Sequence, residues 1–243
     1  TSTTGASICD CGILLSTRAM SRVLDVDETA RTARVEPGVL LGDLQRTLAP
    51  LGLFFAPDPT SDQECTIGGA IACNASGPRT LRYGATRAHV RALTVVMASG
   101  ETVEVSRPLI EKNTAGLLSV QDPVDWFVGS EGTLGVIVAA ELTLLPRPHR
   151  ELGVAIPMPD EARALAFVVA ARESRDVRPR CLEYFDAESF AIARLGAGDP
   201  SWGAAAGAMI YAEEAGDGDE LPLDSWLALA ERFGASDAEV RVF

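Results

Sequence analysis

Lysine is almost missing from this 243-residue sequence. Lys112 stands alone among 21 basic residues, set against 34 acidic ones, for a formal charge of −13. Phosphate backbones need a basic footprint, so this balance excludes nucleic acid as a partner. It also removes the phosphate P-loop, G-x-x-x-x-G-K-[ST], because the one lysine follows no such glycine pair. No G-x-G-x-x-G lies between a strand and a helix, which disfavours a nicotinamide-type site. Histidine is scarce too. His89 and His149 lie far apart and form no H-x-x-x-H, so no metal site follows from them. The five cysteines are an odd number in a chain of this length, unlike a disulfide framework, and fit a reducing cytoplasm. Cys9-Asp10-Cys11 lacks a second ligand pair and reads as incidental thiols. Apolar runs stay short of the ~18 residues of a membrane span. The opening "TSTTGASICDCG" has no basic stretch followed by an apolar core, so it does not read as a secretory leader. It has no Met and starts inside an apparent turn, and the expectation is that upstream sequence is missing.

What is present is an ordinary globular composition, 47% hydrophobic and 23% charged, long enough for one large or two modest domains. "GILL", "VLDVD" and "TARVEPG" read as strands, the last two about the turn "DETAR". Leu40, Leu41, Leu44 and Leu48 have helical spacing. "TIGGAIACNASG" reads as a short helix. "VRALTVVMASGETVEV" reads as a hairpin turning at Ser99-Gly100, and "VIVAAELTLLPRPH" as a strand stopped by Pro146 and Pro148. After about residue 151, strands and helices alternate: "LGVAIPMP", a helix opened by Asp160, "RCLEYFD", "AESFAIARLG", "GAMIYAEEA", a helix ended by Gly234, and "EVRVF". That pattern predicts a small sheet with helices on one face. The acidic run at 213–220 reads as a solvated loop.

Three segments are rich in small residues: "TSTTGAS", "ECTIGGAIACNASGPRTLRYG" and "FVGSEGTLGVI". Glycines often serve turns and close packing. Bare backbone amides also bind pyrophosphate, and Gly68-Gly69 after Thr66 would present amides to an anion. Asn74 offers two donors and an acceptor to a polar ring edge. Three such clusters without a lysine or metal motif favour a large, flat, polar ligand.

"VEPGVLLGDLQRTL", "PDPTSDQECTIGGAIACNASGPRTLRYG", "KNTAG" and "GSEGTLGVI", in that order, resemble the FAD-linked oxidases. This is the vanillyl-alcohol-oxidase superfamily with its PCMH-type FAD-binding domain, and specifically the glycolate oxidase flavoprotein-subunit and D-lactate dehydrogenase branch. The resemblance implies an α+β fold. Residues 1–148 correspond to the second lobe of the FAD-binding domain, its first lobe missing, and 149–243 to part of an α/β, ferredoxin-like cap. It implies FAD contacts at Thr1 and Ser2, at Pro57 and Asp58, at Cys65, Thr66, Gly68 and Gly69, and at Asn74, Ala75 and Gly77. Tyr83, Gly84, Glu131, Gly132 and Ile137 complete the set. Ser76 stands where the family's N-A-G-G has glycine, and "LLSVQDPVD" replaces its usual segment after T-A-G.

The implied activity is oxidation of a small 2-hydroxy acid such as D-lactate, glycolate or D-2-hydroxyglutarate, with hydride passing to flavin N5. A quinone, a protein or oxygen then takes the electrons, in the cytoplasm or at the membrane surface. Arg82 is the candidate contact for an anionic substrate. The family's histidine pair and following acid, which hold a metal and help activate the substrate, are expected beyond residue 243, so no catalytic base is assigned. Alternatives are an FAD-dependent alcohol or sugar oxidase of the same superfamily, a non-catalytic piece of a larger flavoprotein, and a nucleotide-binding domain without redox chemistry.

Overall fold

A computed structural model describes residues 5, 8, 11–108, 122–218 and 220–243. The chain divides into two compact units, Thr1–Arg147 and Pro148–Phe243.

In the first unit five strands form an antiparallel sheet: β1 (Val23–Asp27), β2 (Thr32–Val35), β4 (Val90–Val96), β5 (Thr102–Ser106) and β6 (Val136–Thr143). Their order is β1-β2-β6-β4-β5. A separate pair, β3 (Leu53–Phe54) and β7 (Leu145–Pro146), lies outside that sheet. Alternation sets the two faces. Ala33, Val35, Leu93, Val95, Ala140 and Leu142 point into the core. Leu41, Leu44 and Leu48 of α1 (Leu41–Leu48), Ile67 and Ile71 of α2 (Ile67–Ala72), and Val124 and Phe127 of α4 (Pro123–Phe127) close it. A short α3 (Thr80–Tyr83) follows α2 in the chain. The opposite sheet face carries Arg34, Thr94, Glu104, Ser106 and Glu141 around a shallow cavity of about 260 Å³.

The expected strand at "GILL" does not form. Ile13, Leu14 and Leu15 are exposed and join no strand among the described residues, so the ladder bonds a strand requires are unmet.

The second unit is a four-stranded antiparallel sheet of β8 (Arg150–Met158), β9 (Cys181–Asp186), β10 (Ala208–Gly216) and β11 (Arg241–Val242). Its order is β11-β8-β10-β9. The three helices are α5 (Glu161–Glu173), α6 (Ala187–Gly196) and α7 (Leu223–Arg232). Counted within the unit the strands run 4-1-3-2, the ferredoxin-like order, with α6 inserted between the second and third. Phe167 of α5 and Trp226 of α7 pack with Val154, Ile156, Ala208 and Ile210 on one face. Phe190 of α6 packs with Ala155 and Met209 on the other. The sheet is thus covered on both faces rather than one. This explains why β8 reads as an almost unbroken apolar run instead of alternating.

The acidic run at 213–220 is also more than a solvated loop. Its first four residues end β10. Glu213 pairs with the buried Arg180 at 2.8 Å. Glu214 accepts from Trp226 Nε1 at 2.8 Å and from the Arg178 amide at 3.0 Å.

Candidate functional site

The six-residue helix α2 is the centre on which the motif-bearing segments converge. At its start, the Thr66 hydroxyl caps the helix by accepting from the Gly69 amide at 3.2 Å. The Ile67 amide donates to the Val39 carbonyl and the Gly68 amide to that of Pro37, both at 2.8 Å. The amides read from sequence as a cradle for an anion are therefore already used. A Cβ built on Gly68 would fall 2.6 Å from Pro37 Cβ, so this glycine is required by the preceding turn of the chain. Gly77 is likewise pressed against the Asp58 carbonyl. Gly69 differs, for an added Cβ there would meet only the Thr66 hydroxyl, at 3.1 Å.

At the other end of α2 the free carbonyls are closed by distant parts of the chain. Ile71 accepts from the Asn74 and Gly129 amides, both at 3.0 Å, and Ala72 from the Glu131 amide at 2.9 Å. Such closure demands left-handed backbone at Asn74 (φ 46°), Gly129 (φ 83°), Glu131 (φ 52°) and Gly132 (φ 80°). The Ala75 carbonyl accepts from both the amide and hydroxyl of Thr86, at 3.0 and 2.8 Å. Asn74 Oδ1 accepts from the Arg87 amide at 2.9 Å. Segments 57–58, 66–69, 73–77, 84–87 and 128–132 are thereby joined into one locality.

Within it lies an open, largely polar cavity of about 260 Å³ lined by Pro59, Thr60, Ser61, Cys73, Asn74, Ala75 and Ser76. Hydroxyls, an amide and small side chains surround it, with no charged group in the lining. This donor set fits a neutral, hydrogen-bonding portion of a dinucleotide or its ring, and the volume fits a portion only.

The other sequence candidates fall in different surroundings. Pro57 is buried, and half-buried Asp58 pairs with Arg79 at 3.5 Å. Cys65 is buried with Ala70 and Ala75, its Sγ 3.3 Å from the Thr66 carbonyl, and burial pushes its thiol pKa up. Ile137 is part of the sheet core. Tyr83 meets Phe54 edge-on, and Arg82, exposed, lies 5.7 Å from the Tyr83 ring centre. Gly84 follows with φ 79°. Thr1, Ser2 and the "KNTAG" motif lie outside the described residues. Two groups to which the sequence assigned no role also matter. His89, buried, makes a 2.8 Å hydrogen bond from Nε2 to the Tyr83 carbonyl, and burial lowers its pKa. Arg87 and Arg107 hold Asp125, whose carboxyl is kept below its usual range chiefly by the Arg107 guanidinium. No spacing announces these pairs, since their members lie 18 to 38 residues apart. Among the described residues no three His, Cys, Asp or Glu side chains gather as a metal site. No described helix is long and apolar enough to cross a membrane.

Residues 1–106 match the family model described as an FAD binding domain. Among curated proteins, the glycolate oxidase subunit GlcD of Bacillus subtilis (strain 168) is 37% identical over 178 residues, 72% of this chain and 36% of its own length. A D-lactate dehydrogenase of Anaerostipes hadrus is 33% identical over 73% of this chain and 36% of its own. A D-2-hydroxyglutarate dehydrogenase of Stutzerimonas stutzeri (strain A1501) is 33% identical over 77% of this chain and 39% of its own. The chain thus spans somewhat over a third of the curated relatives it matches. Among solved structures, an alkyldihydroxyacetonephosphate synthase superposes with a TM-score of 0.74 at 22% identity, covering 92% of this chain and 42% of that one. This shared fold agrees with the α+β architecture expected from the sequence.

Proposed function

We propose that the protein carrying this chain is an FAD-dependent oxidoreductase of a small 2-hydroxy acid, of the D-lactate, glycolate or D-2-hydroxyglutarate kind. One observation carries the reading. Among the described residues, segments that match the family in sequence meet in space around α2, beside a cavity lined by neutral donors. The names of the relatives favour the substrate class. In this reading, residues 1–148 are the second lobe of the FAD-binding domain and 149–243 part of the cap. Thr60, Ser61, Asn74 and Ser76 bind one portion of the cofactor through hydroxyls and amide. Gly69 and the left-handed turn at Glu131 and Gly132 keep side chains out of its way. Thr1, Ser2, Pro57, Asp58, Tyr83 and Gly84 border it, whereas Cys65, Thr66, Gly68, Ala75, Gly77 and Ile137 hold the bed in shape from behind. Arg82 meets the anionic end of the substrate. When bound, FAD supplies the hydride acceptor. A quinone, a protein or oxygen takes the electrons, in the cytoplasm or at the membrane surface.

The test uses the full-length protein. It should purify with a visible flavin band that heat releases as FAD, and anaerobic addition of one of the three 2-hydroxy acids should bleach that band. A protein that takes up no FAD, or whose bound FAD none of these acids reduces, overturns the corresponding half of the proposal.

A further inference from the structure

Arg87 occupies a singular position. Its backbone amide donates to Asn74 Oδ1 at 2.9 Å, and its carbonyl accepts from Arg107 Nη2 at 2.9 Å. Its guanidinium reaches the end of α4, donating to the carbonyls of Asp125 at 2.7 Å and Val128 at 2.5 Å. It also pairs with the Asp125 carboxylate at 3.1 Å. The next residue along, Gly129, is the one whose amide closes Ile71. A Cβ on Gly129 would touch both Arg87 Nη2 and Asn74 Cβ at 3.4 Å, so both side chains flank this glycine.

Arg107 secures the arrangement from behind. It donates to the Val90 carbonyl at 2.7 Å and pairs with Asp125 at 2.6 Å and Asp122 at 3.3 Å. Arg87 therefore joins the two segments: its backbone amide holds Asn74, and its half-buried side chain anchors that stretch of backbone to Asp125 and Val128 at the start of the 128–132 turn. The planar fork spreads these bonds over two nitrogens, Nη1 serving the Asp125 carbonyl and carboxylate and Nη2 the Val128 carbonyl, a geometry that a lysine ammonium, with all its donors on one nitrogen, matches poorly.

Resting on the FAD reading above, we propose that Arg87 is a positioning residue for the cofactor: without touching it, Arg87 sets the spacing between Asn74 and the Gly129–Gly132 turn. Two losses must be separated, that of fold stability and that of site geometry. Arg22 provides the comparison, since its side chain bonds in the same unit, from Nε and Nη2 to Glu36 Oε1, and these bonds reach neither Asn74 nor the 128–132 turn. The experiment measures FAD dissociation constants by fluorescence titration, and the visible circular dichroism of bound flavin, for the full-length wild type and R87A, R87K and R22A. Loss of charged hydrogen bonds that order the site should weaken FAD binding by R87A about tenfold or more. The flavin dichroism should change with it, and R87K should fall between R87A and wild type. R22A should lower the melting temperature while leaving affinity and dichroism at wild-type values.

Wild-type affinity and dichroism in R87A sink the proposal. So does an R22A effect on FAD equal to that of R87A at the same loss of stability. Should R87A fail to fold, R87K decides by the same two readouts. If the wild type itself binds no FAD, it is the functional reading that falls, and this inference falls with it.

Discussion

Gly68 and Gly69 are neighbours with opposite surroundings. Alanine at 68 drives a methyl into Pro37, with Cβ atoms 2.6 Å apart and the turn's carbonyl at 3.0 Å. Such overpacking costs about 1–3 kcal/mol. Chemical denaturation should show that loss for Gly68→Ala and little change for Gly69→Ala. Weaker FAD binding by Gly69→Ala at unchanged stability would locate the cofactor over the exposed side of α2; unchanged binding would remove Gly69 from the site. His89 supplies a pH test. Burial holds its folded pKa below the ~6.5 of an unfolded chain, so the folded state binds fewer protons than the unfolded one just below that pH. Its stabilising contribution is complete above about pH 6.5 and is lost as pH falls beneath it. His89→Gln, which keeps an N–H for the Tyr83 carbonyl, should flatten the stability profile between about pH 7 and 5; an unaltered slope would assign it to other groups. Sequence showed these residues as small, polar or scarce, yet not what presses on them. That Gly68 answers to a proline thirty-one positions earlier is a fact of tertiary packing, which no local pattern encodes.

Secondary elements were far more legible. Apolar spacing predicted α1, Asp160 announced α5, and Gly234 marked the end of α7. The strand–turn–strand of β4 and β5 follows the expected hairpin. Misreadings arose where an element's fate depended on a partner. "GILL" has strand composition and no strand to pair with among the described residues. The helix α6 has an ordinary amphipathic pattern that does not say which sheet face it covers. Caps give a direct test here. The Asp160 carboxylate accepts from the Arg163 amide at 2.8 Å, and Asp160→Ala should cost about 1 kcal/mol by urea denaturation. Arg180 is a harder case. Its side chain is 3% exposed, and burial pulls its pKa down, but bonds to Glu151 and Glu213 outweigh that and hold it raised. Arg180→Met strands Glu213 without its cation and should destabilise the second unit by about 3 kcal/mol. A smaller loss from Arg180→Met than from Asp160→Ala would show that Glu213 is satisfied without Arg180, by the Tyr211 hydroxyl at 2.9 Å and by water.

Across the whole molecule, the formal charge of −13 keeps like-charged copies apart at neutral pH. Solubility should therefore pass through a minimum between about pH 4 and 5, where carboxylates titrate, as light scattering would show. Alternating strands and helices announced a small sheet with helices in the second unit, whereas the α+β class of the whole and the ferredoxin-like cap were legible only through the family resemblance. What joined the first unit's scattered glycines was invisible until the chain was folded. The ties at the end of α2 link Ala72 to Glu131 and Ile71 to Gly129, and Arg87 reaches 41 positions ahead to Val128. Contacts so distant in sequence, like the pairing of β2 with β6, incur loop-closure entropy before they return anything, so they follow the local helices and hairpins in folding. Newly made chain would then acquire its helices and hairpins first, with sheet closure and the ties at the end of α2 afterwards. In native-state hydrogen exchange, the Gly129 and Glu131 amides should open before those of β4 and β6.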